Sequence, residues 1–219
     1  MIRTTFAAML LATLTPAVAA DADIVDVGQS LVDDFVTNVS TFSADFEQTL
    51  IDPEGAMLER SSGRLDIRRP GQFRWVYDEP YEQWLVADGR NIWSYDVDLA
   101  QVTVKAQTEA LANTPALLLG GSDEALDEFV FDGSYDKNGL TWVRMRPVTT
   151  DSGFYSLELG FADGKLTQMK FYDNLDQTTI VALENVVVNA GIDRQQFEFT
   201  VPAGVDVVGT PAAAVTETP

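Results

Sequence analysis

The side chains able to carry out chemistry are unevenly supplied in this sequence. Cysteine and histidine are both absent from its 219 residues. Without them there is no thiolate nucleophile, disulfide, lipid-modified cysteine, Ser-His-Asp triad or His-ligated zinc. Carboxylates are abundant, and Asp33 with Asp34 or Asp96 with Asp98 are the candidate acid/base pairs. A glycosidase needs two carboxyl groups facing one cleft across about 5 to 9.5 Å. Asp33-Asp34 instead falls on the polar side of a predicted helix, and Asp96 and Asp98 flank a predicted turn, both positions where carboxylates are solvated. No glycine-rich phosphate loop and no oxygen-rich calcium loop is present, so no metal site, cofactor or catalytic residue is expected. Cations are scarce, yet Arg64, Arg68, Arg69 and Arg74 fall within eleven positions. Arg69 precedes Pro70, which favours an extended backbone, and its guanidinium offers five donors and no acceptor. These arginines either pair with nearby acids at the surface or include a donor aimed at helix-terminal carbonyls as a reversible latch.

Rhythm and turn signals define the elements that must position these groups. From Ile24 to Val39 apolar residues recur every three or four positions, which predicts an amphipathic helix. Thr41 to Leu50 then alternates as a half-buried strand. Further strands are predicted at Met57 to Arg68, Gln72 to Tyr77, Gln83 to Ala87, Asn91 to Tyr95 and Gln101 to Val104. After an interruption they resume at Phe129 to Phe131, Leu140 to Arg146, Phe154 to Phe161, Leu166 to Tyr172 and Thr178 to Val188. Links such as Asp88-Gly89 and Asp163-Gly164 predict antiparallel hairpins, and no βαβ rhythm appears. Thr108 to Leu126 reads as two short helices broken at Gly120-Gly121. The chain beyond about residue 205 reads as a loose tail. The implied architecture is one long, strongly curled antiparallel sheet with helices against its concave face. Phe73, Trp75 and Tyr77 share one face of their strand, and Trp84 and Trp93 add large rings on neighbouring strands. Together these rings make either an ordinary packed core or the lining of a ligand cavity. The Leu117–Leu119 run likewise either seals a core or forms a movable cover.

Residues 1–20 read as an export signal: Arg3 is the charged start, Phe6 to Leu14 the apolar stretch, and Ala17-Val18-Ala19-Ala20 the cleavage region. The mature chain, 21–219, is then expected to be one soluble domain in the periplasm. The formal charge of −20 becomes −21 once Arg3 leaves, which repels an anionic backbone and excludes nucleic acid as the partner.

The ordered series Phe46-Glu47-Gln48, Gly63-Arg64-Leu65, Arg68-Arg69-Pro70-Gly71-Gln72-Phe73-Arg74-Trp75, Asp88 through Asp96, Gln101-Val102-Thr103 and Asn113-Thr114-Pro115-Ala116 resembles that of the LolA-type outer-membrane lipoprotein carriers. The resemblance is strongest from Phe46 to Leu119 and fades after Asp136. It implies a mainly β fold with some helix: a half-open antiparallel barrel of about eleven strands under a helical lid, acting without catalysis. It also implies a latch at Arg69 that hydrogen-bonds lid backbone in the closed state, and a lid comprising Asn113, Thr114, Pro115, Ala116, Leu117 and Leu118. Phe46, Phe73, Trp75, Trp84 and Trp93 are the expected acyl-chain cavity. The implied partners are acylated lipoproteins as cargo, an inner-membrane ABC-type exporter and an outer-membrane receptor lipoprotein, with the carrier itself a monomer. Two alternatives stand beside this reading: a related barrel that binds another lipid or senses envelope stress, and a periplasmic hydrolase built on paired carboxylates.

Overall fold

The computed structural model describes residues 26–110, 120, 123–149 and 152–212. The expected signal segment and the lid residues Asn113, Thr114, Pro115, Ala116, Leu117 and Leu118 lie outside them.

Helix α1 spans Val27–Asn38 and begins at the N-cap Asp26, whose carboxylate accepts from Gly28 N at 2.8 Å and from Ser134 Oγ at 2.6 Å. One carboxylate therefore starts the helix and ties it to the strand carrying Ser134. Val32, Phe35 and Val36 form the buried face, while Asp33 and Asp34 are exposed on the other. The backbone turns extended at Val39, and the strands follow directly.

Strands β1 (Thr41–Ile51), β2 (Met57–Arg68), β3 (Gln72–Glu79), β4 (Gln83–Asp88), β5 (Asn91–Asp96) and β6 (Gln101–Ala106) form an antiparallel meander. A second run comprises β7 (Phe129–Lys137), β8 (Leu140–Pro147), β9 (Phe154–Ala162), β10 (Lys165–Asp173) and β11 (Thr178–Val188). Between the runs come helix α2 (Gln107–Ala110) and a 3-10 turn at Asp123–Glu128. Tight turns use the expected residues: Asn138-Gly139 and Asp163-Gly164 both adopt positive φ, as two-residue hairpins require.

With β12 (Asp206–Gly209), the strands of the described residues join in one sheet ordered β12-β6-β5-β4-β3-β2-β1-β11-β10-β9-β8-β7. Strand β1 lies between β2 and β11 and so welds the two runs together. The end strands β12 and β7 are not paired with each other, so the sheet is an unclosed trough. Twelve strands fit the expected count of about eleven, and the twelfth lies within the stretch from about residue 205 that reads as a loose tail. Strand β12 (Asp206–Gly209) runs parallel to β6 from Asp206 opposite Gln101 to Gly209 opposite Val104, and Ala212 N donates to Asn91 Oδ1 at 2.7 Å. Unpaired β6 edge groups reward the pairing whatever the side chains of β12, all of which are exposed.

The curl needs close backbone approaches. At Gly63, where the β2–β3 register shifts, a Cβ would fall 1.9 Å from the Val76 carbonyl oxygen, so no other residue fits the bend. The main core lies on the concave face. Helix α1 fills the β7–β10 half of it, with Phe35 edge-on to Phe42 at 5.9 Å and to Phe161 at 6.4 Å. The concave face of β1–β4 is where the candidate site lies.

Candidate functional site

Register decides which rings face the trough. Trp75 stands opposite Leu65 on β2 and Leu85 on β4, and Phe73 opposite Ile67 and Ala87, all of them within the concave core or packed on it. Phe46 reaches this group from β1. Its ring lies edge-on to Trp75 at 5.2 Å and to Tyr77 at 5.1 Å, and Trp75 stacks on Tyr77 at 6.2 Å. Phe46, Trp75 and Tyr77 thus form one aromatic group, and Phe73 belongs to the same core. The Tyr77 hydroxyl donates to Gln48 Oε1 at 3.2 Å, and burial pushes its pKa up to about 12, so it stays a neutral donor.

Trp84 and Trp93 are a correction. Trp84 pairs with Val76 and Trp93 with Val86, which puts both on the opposite, convex face. There Trp84 lies under the Arg74 guanidinium at 4.8 Å and donates to Glu82 Oε1 at 2.9 Å. Trp93 stacks on Phe199 at 5.5 Å and donates to Asp88 Oδ2 at 2.8 Å. A 3-10 turn at Arg194–Phe197, with Phe197 wholly buried, packs this C-terminal segment on β3 and β4. Aromatic content alone marked these two rings as cavity lining, but strand alternation against a cover from the far end of the chain overrides it.

A cleft of about 510 Å³ opens at the end of the trough where β1 and β2 meet the β3–β4 and β5–β6 turns. Tyr77 and Gln48 form its inner wall, and Glu59, Glu79, Glu82, Asp96 and Asp98 lie around it. Asp96 caps its turn by accepting from Leu99 N at 2.9 Å, and Asp34 accepts from Asn38 Nδ2 at 2.6 Å. Asp33 and Asp34 thus lie on the exposed face of α1, whereas Asp96 and Asp98 both border the cleft. No group of three or more metal-ligating side chains occurs among the described residues.

The four clustered arginines disperse. Arg64 pairs with Asp45 and Asp66, both at 3.3 Å, Arg68 donates to Gln72 Oε1 at 2.9 Å, and Arg74 covers Trp84. Arg69 alone turns to α1, its guanidinium 4.7 Å from the Phe35 ring centroid, while its backbone N donates to Ser40 O at 2.8 Å. Two residues on, Gly71 N donates to Gly120 O at 2.6 Å. Gly120 sits so close to the trough that a Cβ on it would meet Phe73 Cδ1 at 2.8 Å. Gln107, where the mid-chain insert begins, is buried and bridges two hairpin turns, donating to Gly71 O at 2.7 Å and accepting from Gly89 N at 3.1 Å. The insert is therefore tied to Gly71, beside Arg69, at its start through Gln107 and again at Gly120. Sequence reasoning missed Gln107, since a glutamine after a strand carries no local signal. Phe35, the seat of Arg69, was legible as part of the apolar helix face.

Residues 37–200 match the family model described as outer membrane lipoprotein carrier protein LolA. A Bordetella pertussis protein named outer-membrane lipoprotein carrier protein is 37% identical over 180 residues, covering 82% of this chain and 85% of that one. A Nitrosospira multiformis protein of the same name is 39% identical over 175 residues, covering 80% and 84%. Among solved structures, an uncharacterized conserved protein from Thermus thermophilus superposes with a TM-score of 0.54 at 14% identity, over 82% of this chain and 97% of that one, a likeness of fold.

Proposed function

The chain belongs to the LolA family of outer-membrane lipoprotein carriers, and from that premise we propose that it binds the acyl chains of lipoproteins in its trough and carries them between membranes. The observation that carries this reading is the aromatic concave face of Phe46, Phe73, Trp75 and Tyr77, set in an unclosed sheet, with Tyr77 also walling a cleft of about 510 Å³. That volume lies within the roughly 300–1,000 Å³ of small-molecule sites. Each buried methylene is worth about 0.8 kcal/mol, so one long acyl chain left in water costs on the order of 10 kcal/mol. A lipoprotein with several chains needs such a shield, and the task requires no bond to be broken; the carrier works without catalysis.

The carrier operates in the periplasm as a monomer. It takes cargo from an inner-membrane ABC-type exporter and yields it to a receptor lipoprotein of the outer membrane. No helix among the described residues is long and apolar enough to cross a membrane. Release to the receptor requires weaker binding by the carrier. The Arg69 latch sets that balance: holding the insert, Asn113 to Leu118 included, over an empty trough stabilises the unloaded state and lowers net affinity for cargo. Support for this placement comes from the Gly71–Gly120 hydrogen bond two residues from Arg69.

Mass spectrometry of the protein purified from periplasm tests the function. Co-purifying acylated protein is the expected result. A free lipid instead of lipoprotein would favour the lipid-binding or stress-sensing relative, and a polar substrate turned over by the protein would overturn the carrier reading.

A further inference from the structure

Trp75 is a buried donor without an acceptor. It is 8% exposed, and its Nε1–H has no hydrogen-bond partner among the described residues. The indoles of Trp84 and Trp93, on the convex face, donate to Glu82 and Asp88. Around Trp75 the surroundings are apolar: Leu65 and Leu85 across the strands, the Phe46 ring at 5.2 Å and the Tyr77 ring at 6.2 Å. The nearby Tyr77 hydroxyl is already engaged with Gln48. Buried indole N–H groups ordinarily find a partner, because leaving the donor unsatisfied is a standing cost to the fold. An aliphatic or phenyl side chain would fill the same space without that cost.

We propose that the Trp75 N–H is the donor for an ester or amide carbonyl of the bound acylated ligand, so that the trough selects acyl groups over plain alkyl chains. The inference rests on the carrier reading and adds a polar determinant to an otherwise greasy site. Geometry supports the assignment. The cleft is walled by Tyr77, and Tyr77 stacks directly on Trp75, so a chain entering from the cleft meets the indole one ring deeper. In each acyl group the carbonyl is the only acceptor attached to the hydrocarbon, and it follows the chain into the trough. A carbonyl engaged there satisfies the indole without a charged partner. Because the donor is neutral and single, the contact ranks acyl against alkyl ligands while leaving release reversible.

The test uses two probes and two proteins. A triacylated lipopeptide is compared with a counterpart whose acyl carbonyls are replaced by methylenes, giving ether and N-alkyl linkages. Both are titrated against the wild-type chain and Trp75→Phe. The expected result is that wild type binds the acyl probe about fivefold more tightly than the alkyl one, and that Trp75→Phe binds the two probes equally, whatever its overall affinity. An NMR experiment on the 15N-labelled wild-type protein needs no variant: the Trp75 Nε1–H resonance should move downfield with the acyl probe and not with the alkyl one. An unchanged resonance, or an equal preference in both proteins, means that the N–H serves only internal packing, for instance against the Phe46 ring, and overturns the proposal while the carrier reading stands. Failure of wild type to bind either probe overturns both.

Discussion

Arg69 and Trp93 illustrate how little a residue's type says about its work until its neighbours are known. Arg69 sits over Phe35 at 4.7 Å, next to the turn that receives Gly120. If it latches the insert, Arg69→Leu keeps the bulk against Phe35 but loses the donors. That variant should still load acylated protein yet pass it to the outer-membrane receptor at least about tenfold more slowly, as expected when about 1.4 kcal/mol of closing energy is removed. A transfer assay with purified receptor gives the rate, and wild-type transfer would reject the latch. Trp93 makes the opposite case. Its ring lies under Phe199 and its N–H on Asp88, whose carboxyl is desolvated by burial but is held below the usual carboxylate range by the donors of Trp93, Asn91 and Arg90. Trp93→Ala should cost about 2–3 kcal/mol in urea unfolding and leave acyl-probe affinity unchanged. Weakened binding in a still-folded variant would return this ring to the cavity.

Strands and turns respond through backbone approach and through the charges they bury. At Gly63 the obstacle to a side chain is the Val76 carbonyl itself, which cannot swing aside. Gly63→Ala should therefore lose about 3 kcal/mol or more by forcing β2 from β3, and urea denaturation measures it. On the convex face of β7–β10, Glu158 is nearly sealed from water. It accepts from the Tyr135 hydroxyl at 2.9 Å, Arg144 at 3.0 Å, the Tyr172 hydroxyl at 3.2 Å and Lys170 at 3.4 Å. Burial pushes its pKa upward, but the Tyr135 and Arg144 hydrogen bonds and the Lys170 charge outweigh that, and the carboxyl ends below its ordinary 4.5. A depressed folded value means that the contribution is complete above the unfolded pKa and disappears as pH falls through the folded one. The wild type should accordingly lose stability below about pH 4.5, whereas Glu158→Gln should start about 2–3 kcal/mol lower at neutral pH and show a shallower acid slope. Equal slopes in pH-dependent unfolding would exclude Glu158 as their source.

At the largest scale, the described residues form a twelve-stranded trough with two covers of different origin. Helix α1 closes the β7–β10 half from within, and the C-terminal segment covers the convex side of β3 and β4 before pairing as β12 beside β6. Removing the chain from Asp206 onward would uncover the backbone donors and acceptors of β6 along its full edge. Such a truncation should unfold earlier and self-associate as concentration rises, with light scattering as the measure. A monodisperse variant of wild-type stability would show that β12 adds nothing.

By itself the amino-acid sequence determined most of the element list as far as Val188, because period and turn chemistry are local. The apolar face of α1, the strand spans and the Asn138-Gly139 and Asp163-Gly164 turns follow from residues a few positions apart. The ordered motifs from Phe46 onward likewise carried the family. Tertiary structure alone decided which face of each strand meets the trough. Alternation separates Phe73 and Trp75 from Trp84 and Trp93 only once register is set between partners such as Val76 and Trp84. It also decided the fate of the tail, whose pairing to β6 depends on an exposed backbone edge more than one hundred residues away. Side-chain pattern registers what a segment prefers, whereas a vacant hydrogen-bonding edge exists only after the other strands have assembled.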